Sequence, residues 1–362
     1  MNILFVVNNL RVGGAGRVVA RLATQMQSMD HNVAILITAN DEVLYPLPSD
    51  VKVYNLHMVD EKETKLSVLR IINRAKKIKK ICLERAIDVV YSFLPEINIY
   101  SIIAGFHRNW TTIISERNDP NIDPPYKRVR LMRKLLYPLC DGVVFQTEGA
   151  KAYFSKKIQE KGILIFNPVS TDIPEPITGQ REKVFVAAGR LNLQKNYAMM
   201  LKAFASFCET DDEYCLHIYG EGEERSNIEG LIRDLNLRER VILKGQSYNL
   251  LDEIKTASCY LLSSDYEGMS NSLIEAMALG LPIISTDHPI GGARALIING
   301  KNGYLVPVND YSAMAEQMRY VTENLDDVIE KAQMNISLRK KLSVAEIANQ
   351  WLDFAKTSAK QK

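Results

Sequence analysis

The chain has 362 residues, 46% hydrophobic and 24% charged, an ordinary globular composition long enough for two cores, because domains cluster near ~100–200 residues. Its five cysteines (Cys82, Cys140, Cys208, Cys215, Cys259) are scattered through mostly apolar runs with no C-x-x-C or Cys/His spacing, which argues against a disulfide framework or a metal knuckle and predicts a reducing, cytoplasmic compartment. The net charge of +2 hides a division: residues 1–170 carry 24 Lys and Arg against 16 Asp and Glu, residues 171–362 carry 21 against 27, so the N-terminal half is the one suited to anionic partners.

The opening MNILFVVNNLRVGG is apolar for one strand's length and lacks the basic lead and cleavage site of a signal peptide. No later segment reaches the ~20 apolar residues of a membrane span. From there, short β-branched runs alternate with helical patterns: NILFVVN, an amphipathic stretch from Gly16 to Met29, NVAILIT, and then DVVYSF, TTIIS, GVVFQT and GILIF. Such alternation predicts a parallel sheet with helices on both faces. NPVSTDIPEPITGQR (Asn167 to Arg181) is aperiodic and reads as a linker. The alternation then restarts with KVFVAAGR, a helix near Asn196 to Cys208, YCLHIYG, a helix near Glu223 to Leu235, RVILKG, a short helix near Leu250, SCYLLSS, the helix holding Glu275, and PIIST. Two doubly wound α/β domains follow, 1–170 and 171–343, with a cleft expected between them. The tail over 344–362 has helical apolar spacing at Val344, Ile347, Trp351 and Phe354. Spacing alone lets it close either domain, and we place it returning toward the N-terminal one.

Ligands of such sheets sit beyond the carboxyl ends of the strands, so unusual residues there are the candidates. After the first strand come Gly13, Gly14 and Gly16, leading into a helix. Glycines there let backbone N–H groups approach an anion. Valine stands where a G-x-G-x-x-G fingerprint needs its third glycine, and a plain tight turn fits as well. GRLNLQKN follows the strand VFVAA and carries Arg190 and Lys195, two cations able to neutralise a diphosphate, or an ordinary solvated loop. In DYEGMSNSLIEAMALGLP, Glu267 lies at a strand end, the small residues from Gly268 to Ser272 suggest an accessible loop with free helix amides, and Glu275 follows one turn into the helix, which stops at Gly280 before Pro282.

E-G-M-S-N-S-L-I-E resembles the E-x7-E motif of family 4 glycosyltransferases of GT-B fold. The resemblance extends over nearly the whole chain through GGAGR, GRLNLQKN, IYGEGEE, LKGQ and EAMALGLPIISTD. ISERNDP, YPLCDGVVFQT and NPV are similar in particular to enzymes that add N-acetylgalactosamine or related sugars to polyprenyl-diphosphate-linked oligosaccharides. It implies that Glu275 binds nucleotide ribose, that Glu267 contacts the hydroxyls of the moving sugar, and that Arg190 and Lys195 stabilise the diphosphate leaving group. It also implies donor contacts at Gly13, Gly14, Gly220, Gly245, Gln246, Gly268, Met269, Ser270, Asn271 and Ser272. The family has no DxD motif, and none stands in a plausible place here, so no metal and no cofactor beyond a UDP-sugar substrate are expected. Many relatives carry a histidine just after the strand TTIIS. This chain has Arg117 there, beside Glu116; both are kept as site candidates against an ordinary surface loop.

RIINRAKKIKKICLER concentrates Arg70, Arg74, Lys76, Lys77, Lys79 and Lys80 on a helix whose apolar residues are Ile71, Ile72, Ile78 and Ile81, and YKRVRLMRKLLYPL repeats the mixture. Such helices either rest on an anionic membrane or grip a diphosphate, or are simply solvated faces. Arg70, Arg74, Lys77 and Lys80, with Glu116, are the acceptor-side candidates. The basic runs lack interleaved aromatics, which disfavours nucleic acid. The expected protein is a cytoplasmic, peripheral-membrane, retaining hexosyltransferase of GT-B fold moving a sugar from a UDP-sugar to a polyprenyl-diphosphate-linked saccharide. Kept beside it are a sugar-nucleotide epimerase of the same fold and a non-catalytic partner in polysaccharide assembly. Which sugar moves, and to which hydroxyl, is not written in any motif.

Overall fold

The computed structural model describes residues 1–11, 13–39, 43, 45–56, 68–177 and 179–360. Val12 of the glycine-rich stretch, and Gln361 and Lys362 of the expected C-terminal helix, lie outside them. The chain divides into two compact units, 1–168 with 344–362, and 169–343.

In chain order the first unit contains β1 (Asn2–Val7), α1 (Gly14–Ser28), β2 (Asn32–Ile37), β3 (Lys52–Asn55), α2 (Val68–Glu84), β4 (Val89–Phe93) and α3 (Pro95–Gly105). It continues with β5 (Thr111–Ser115), α4 (Lys127–Leu136), β6 (Gly142–Phe145), α5 (Glu148–Ala152), α6 (Lys156–Glu160) and β7 (Gly162–Leu164). All strands pair in parallel in the order β3-β2-β1-β4-β5-β6-β7. β4, β5 and β6 are buried along their whole length, as expected of strands covered on both faces, which is why they read as continuous apolar runs. β3 was not anticipated, because an edge strand with two exposed residues has little hydrophobic pattern to show.

The second unit runs β8 (Glu182–Ala188), α7 (Tyr197–Cys208), β9 (Cys215–Tyr219), α8 (Arg225–Asp234), β10 (Val241–Gly245), α9 (Leu250–Ile254), β11 (Ala257–Leu262), α10 (Asn271–Ala278), β12 (Ile283–Thr286) and β13 (Tyr304–Val306), then α11 (Tyr311–Glu323), α12 (Leu325–Ala332) and α13 (Leu338–Lys341). Its sheet is ordered β10-β9-β8-β11-β12-β13 and is parallel throughout. The three-residue edge strand β13 also escapes the sequence pattern. Phe185, Phe204, Phe207 and Tyr214 form an aromatic knot under this sheet, with Phe185 and Phe207 edge to face at 5.3 Å. Each such ring contributes about 1.5–3 kcal/mol by burial.

The last helix, α14 (Val344–Lys360), belongs to the first unit. Trp351 is its anchor: fully buried, stacked on Phe93 at 5.4 Å and edge-on to Tyr91 at 5.1 Å, while Tyr91 Oη donates to the Trp351 carbonyl at 3.0 Å.

In both sheets the strand order reverses at one place, between β1 and β4 in the first and between β8 and β11 in the second. Connections leave in opposite directions there, and in open α/β sheets such a point is where a ligand crevice forms at the strand ends.

Candidate active site

The second unit places Arg190 and Lys195 after β8 and Glu267 after β11, one on each side of its switch point. Lys195 ends a single 3-10 turn, Leu193–Lys195, whose N-cap Asn192 accepts from the Lys195 amide at 3.2 Å. The turn is tied to the loop after β11 by four bonds. Gln194 Nε2 donates to the Tyr266 carbonyl at 2.8 Å, the Asp265 amide to the Gln194 carbonyl at 2.9 Å, Asn196 Nδ2 to Asp265 Oδ1 at 2.6 Å, and Ser263 Oγ to the Lys195 carbonyl at 2.7 Å. With both loops fixed, Lys195 Nζ forms an ion pair with Glu267 Oε1, and Ser264 Oγ donates to the same oxygen at 3.1 Å. Both side chains keep a little solvent exposure, 14% and 12%. Arg190 is exposed and makes no ion pair among the described residues.

Glycines let these strand ends come close. A Cβ at Gly189 would lie 2.8 Å from Lys195 Cε, so its absence leaves the passage for the lysine stem. Gly220 has φ 139° and a Cβ there would meet the Gly189 carbonyl oxygen at 1.9 Å, while its amide donates to the Gly245 carbonyl at 2.8 Å. Gly220 thus stitches the ends of β8, β9 and β10. Gly245 itself has φ 71°, and Gln246 beyond it is exposed.

The loop from Gly268 to Ser272 is not the open segment its small residues suggest: Gly268, Met269 and Ser270 are buried, and Asn271 and Ser272 are partly so. The cause is backbone packing, since a Cβ on Gly292 would lie 1.8 Å from the Gly268 carbonyl oxygen. Ser270 caps α10, accepting from the Leu273 amide, and Ser272 Oγ donates to the Ala188 carbonyl at 2.9 Å and accepts from Tyr260 Oη at 2.8 Å. Glu275, in the second turn of α10, is 1% exposed. Burial raises the Tyr260 phenol well above its ordinary range, and the carboxylates of Glu267 and Glu275 push it the same way, so all three share one neighbourhood.

His288 was missed by the sequence analysis. It follows β12, is 1% exposed, and its Nε2 has no hydrogen-bond partner among the described residues. Burial lowers its pKa below the usual imidazole range, opposed chiefly by the Glu267 carboxylate. The available signal was its place just beyond a strand end in STDHP.

In the first unit, the Gly13 amide donates to Tyr45 Oη at 3.1 Å and Gly14 opens α1. Leu94, after β4, takes φ 82° and ψ 143°, a region almost reserved for glycine. Glu116 does not line a surface loop. It is 2% exposed, accepts from Tyr137 Oη, and lies 3.7 Å from the equally buried Arg133; burial pushes its carboxyl up to about 7 against the pull of Arg133 and Tyr137. Arg117 lies over the Phe93 ring at 4.7 Å and the Trp351 ring at 5.7 Å, with Nη1 donating to Asn167 Oδ1 at 2.9 Å. Among the basic-helix candidates, Arg74 turns onto Tyr100, Lys77 Nζ donates to the Leu56 carbonyl at 3.3 Å, Arg70 is partly buried, and Lys80 stays exposed near Glu84. Exposed apolar residues flank them: Leu69 on α2, and Leu131 and Leu135 on α4 beside exposed Lys127, Arg128 and Lys134. Among the described residues no helix is long and apolar enough to cross a membrane.

Two parallel α/β units with charged residues at the switch point of the second are the architecture of GT-B glycosyltransferases, and comparison with known families supplies the class. The model described as Glycosyl transferases group 1 matches residues 170–338, and that described as Glycosyltransferase Family 4 matches residues 12–173. Together they run through both units, and the chain is a glycosyltransferase whose two halves match these two models. It is 29% identical, over 97% of itself and 97% of its relative, to a Campylobacter jejuni GalNAc-alpha-(1->4)-GalNAc-alpha-(1->3)-diNAcBac-PP-undecaprenol alpha-1,4-N-acetyl-D-galactosaminyltransferase. Among solved structures, sucrose-phosphate synthase from Thermosynechococcus elongatus superposes with a TM-score of 0.84 at 17% identity, each chain covered in full. Anabaena HepE in complex with UDP and glucose superposes at 0.82 with 16% identity, over 99% of this chain and 100% of that one. Both share the fold.

Proposed function

We propose that the chain is a retaining glycosyltransferase that moves N-acetylgalactosamine or a related hexose or N-acetylhexosamine from a UDP-sugar to a polyprenyl-diphosphate-linked saccharide. The observation that carries this reading is the Lys195–Glu267 pair, fixed across the switch point of the second unit and sharing its neighbourhood with Glu275, with Arg190 on the same loop as Lys195. The lipid-linked acceptor of the Campylobacter relative and the UDP bound to Anabaena HepE support the choice of substrates.

In this reading the bond between sugar C1 and the diphosphate oxygen breaks, negative charge grows on the diphosphate, and Arg190 and Lys195 neutralise it as the amides before α10 approach it. Glu267 receives the sugar hydroxyls, Glu275 the ribose hydroxyls, and Gly220, Gly245, Gln246 and the segment from Gly268 to Ser272 shape the donor pocket. In the first unit, Gly13, Gly14 and Arg117 are the residues assigned to substrate. The acceptor hydroxyl forms the new bond to C1 on the face the diphosphate leaves, and a leaving-group oxygen takes its proton, so anomeric configuration is retained. Charge stabilisation is assigned to these cations and amides, without a metal. The exposed leucines and lysines of α2 and α4 suit a peripheral site on an anionic membrane. The test is incubation with a panel of nucleotide sugars and polyprenyl-diphosphate saccharides, followed by mass analysis of the lipid fraction. One added hexose or N-acetylhexosamine is expected. Sugar-nucleotide isomerisation without acceptor, or no lipid product with any pair, overturns the proposal.

A further inference from the structure

Arg117 is held in the first unit in a way that none of its neighbours explains. Its guanidinium lies on Phe93 and Trp351, and Nη1 reaches Asn167 Oδ1, which also accepts from Gln146 Nε2 at 2.6 Å. The other two nitrogens, Nε and Nη2, are sealed from solvent and have no hydrogen-bond partner among the described residues, although the residue as a whole keeps partial exposure. Trp351 Nε1, the indole donor of the same aromatic box, has none either. No carboxylate among the described residues forms an ion pair with Arg117: adjacent Glu116 is committed to Tyr137 and Arg133. Burial with no opposing charge pushes the guanidinium down to about 9.

A buried cation without a counter-charge costs several kcal/mol unless something of opposite sign joins it. Nε and Nη2 are the side-on edge of the guanidinium fork, the pair of parallel donors that matches two oxygens of a carboxylate or phosphate. Phe93 and Trp351 fix the plane of that fork. Leu94, held at φ 82° directly after Phe93, places strained backbone beside it.

We propose that Arg117 is the seat of a substrate oxyanion, a carboxylate or phosphate group taken side-on by Nε and Nη2, with Trp351 as the residue that positions it. This rests on the transferase reading only in assigning the anion to the substrate. A phosphate would come from the lipid-linked acceptor or the nucleotide, and a carboxylate from an acidic sugar.

The chain has two tryptophans, so Trp110→Phe leaves Trp351 as sole reporter of the box. That protein is titrated at constant ionic strength with sodium phosphate, pyrophosphate and glucuronate while emission is followed. A saturable change with at least one probe is expected, weakened at least ~10-fold by Arg117→Gln and also by Arg117→Lys, which keeps the charge but loses the fork. Tighter pyrophosphate or phosphate identifies a phosphate ligand, and tighter glucuronate a carboxylate. The unaltered chain, melted with and without each anion, gives the same ranking as a rise in Tm that Arg117→Lys abolishes, should the tryptophan variant fold poorly. No saturable response to any probe by either method, or equal affinity in Arg117→Gln, overturns the proposal. Loss of the transferase reading would instead show as absent lipid product with anion binding intact.

Discussion

The two sheets wind in the same order around their switch points, but they treat charge differently at their strand ends. After β8 and β11 a cation and a carboxylate meet, Lys195 on Glu267, within reach of solvent and on loops bonded to each other. After β5 the carboxylate Glu116 is drawn inward onto Tyr137 and Arg133, and the cation Arg117 is left against aromatic rings. The first arrangement is pre-organised at little electrostatic cost. The second stores cost that a ligand of opposite sign would relieve.

The sharpest way to break this contrast is Lys195→Ala. It should lower kcat about 10²–10³-fold with KM for the nucleotide sugar within a few fold, in steady-state transfer assays; an unchanged kcat would reduce the ion pair to scaffolding. Gly220→Ala should cost about 2–4 kcal/mol in denaturant unfolding, because its Cβ has no room against Gly189 and its φ of 139° is unfavourable for alanine. Gly230→Ala is its control. The nearest atom to a Cβ there is Arg233 Nη2 at 3.7 Å, and a gain of about 0.5–1 kcal/mol is expected inside α8.

The buried carboxylate tests the first unit. The folded state raises the Glu116 carboxyl to about 7, so it binds this proton more tightly than the unfolded chain does. The stability contributed is fully present below the ordinary glutamate range and is lost as pH rises from there through about 7. Glu116→Gln should flatten that fall by about 3 kcal/mol in melts taken between pH 4.5 and 8, and an unchanged slope would contradict the burial argument. Glu275→Ala should give about 10-fold weaker UDP binding by calorimetry, or about 1.4 kcal/mol.

Most of the architecture was legible because parallel strands buried on both faces leave apolar runs that no helix pattern imitates. TTIIS and SCYLLSS became β5 and β11. The edge strands β3 and β13 were not legible, being short and half exposed. Nor was α3, whose buried surface runs all around it and so carries no polar stripe. Sequence spacing singled out Arg190, Lys195, Glu267 and Glu275, of which the structure pairs Lys195 with Glu267. It could not show that Gly268 is packed shut by Gly292, that Glu116 turns inward, or that His288 lies near Glu267, since each depends on what a distant segment brings to the same place.

The path of the chain has a consequence for synthesis. Unit one begins at residue 1 but is completed by α14, and the 175 residues of unit two are made in between. On the ribosome the second sheet can close as soon as it emerges, whereas the first must wait, its aromatic box lacking Trp351, until the final helix has been translated. The half synthesised first is thus the half that finishes folding last.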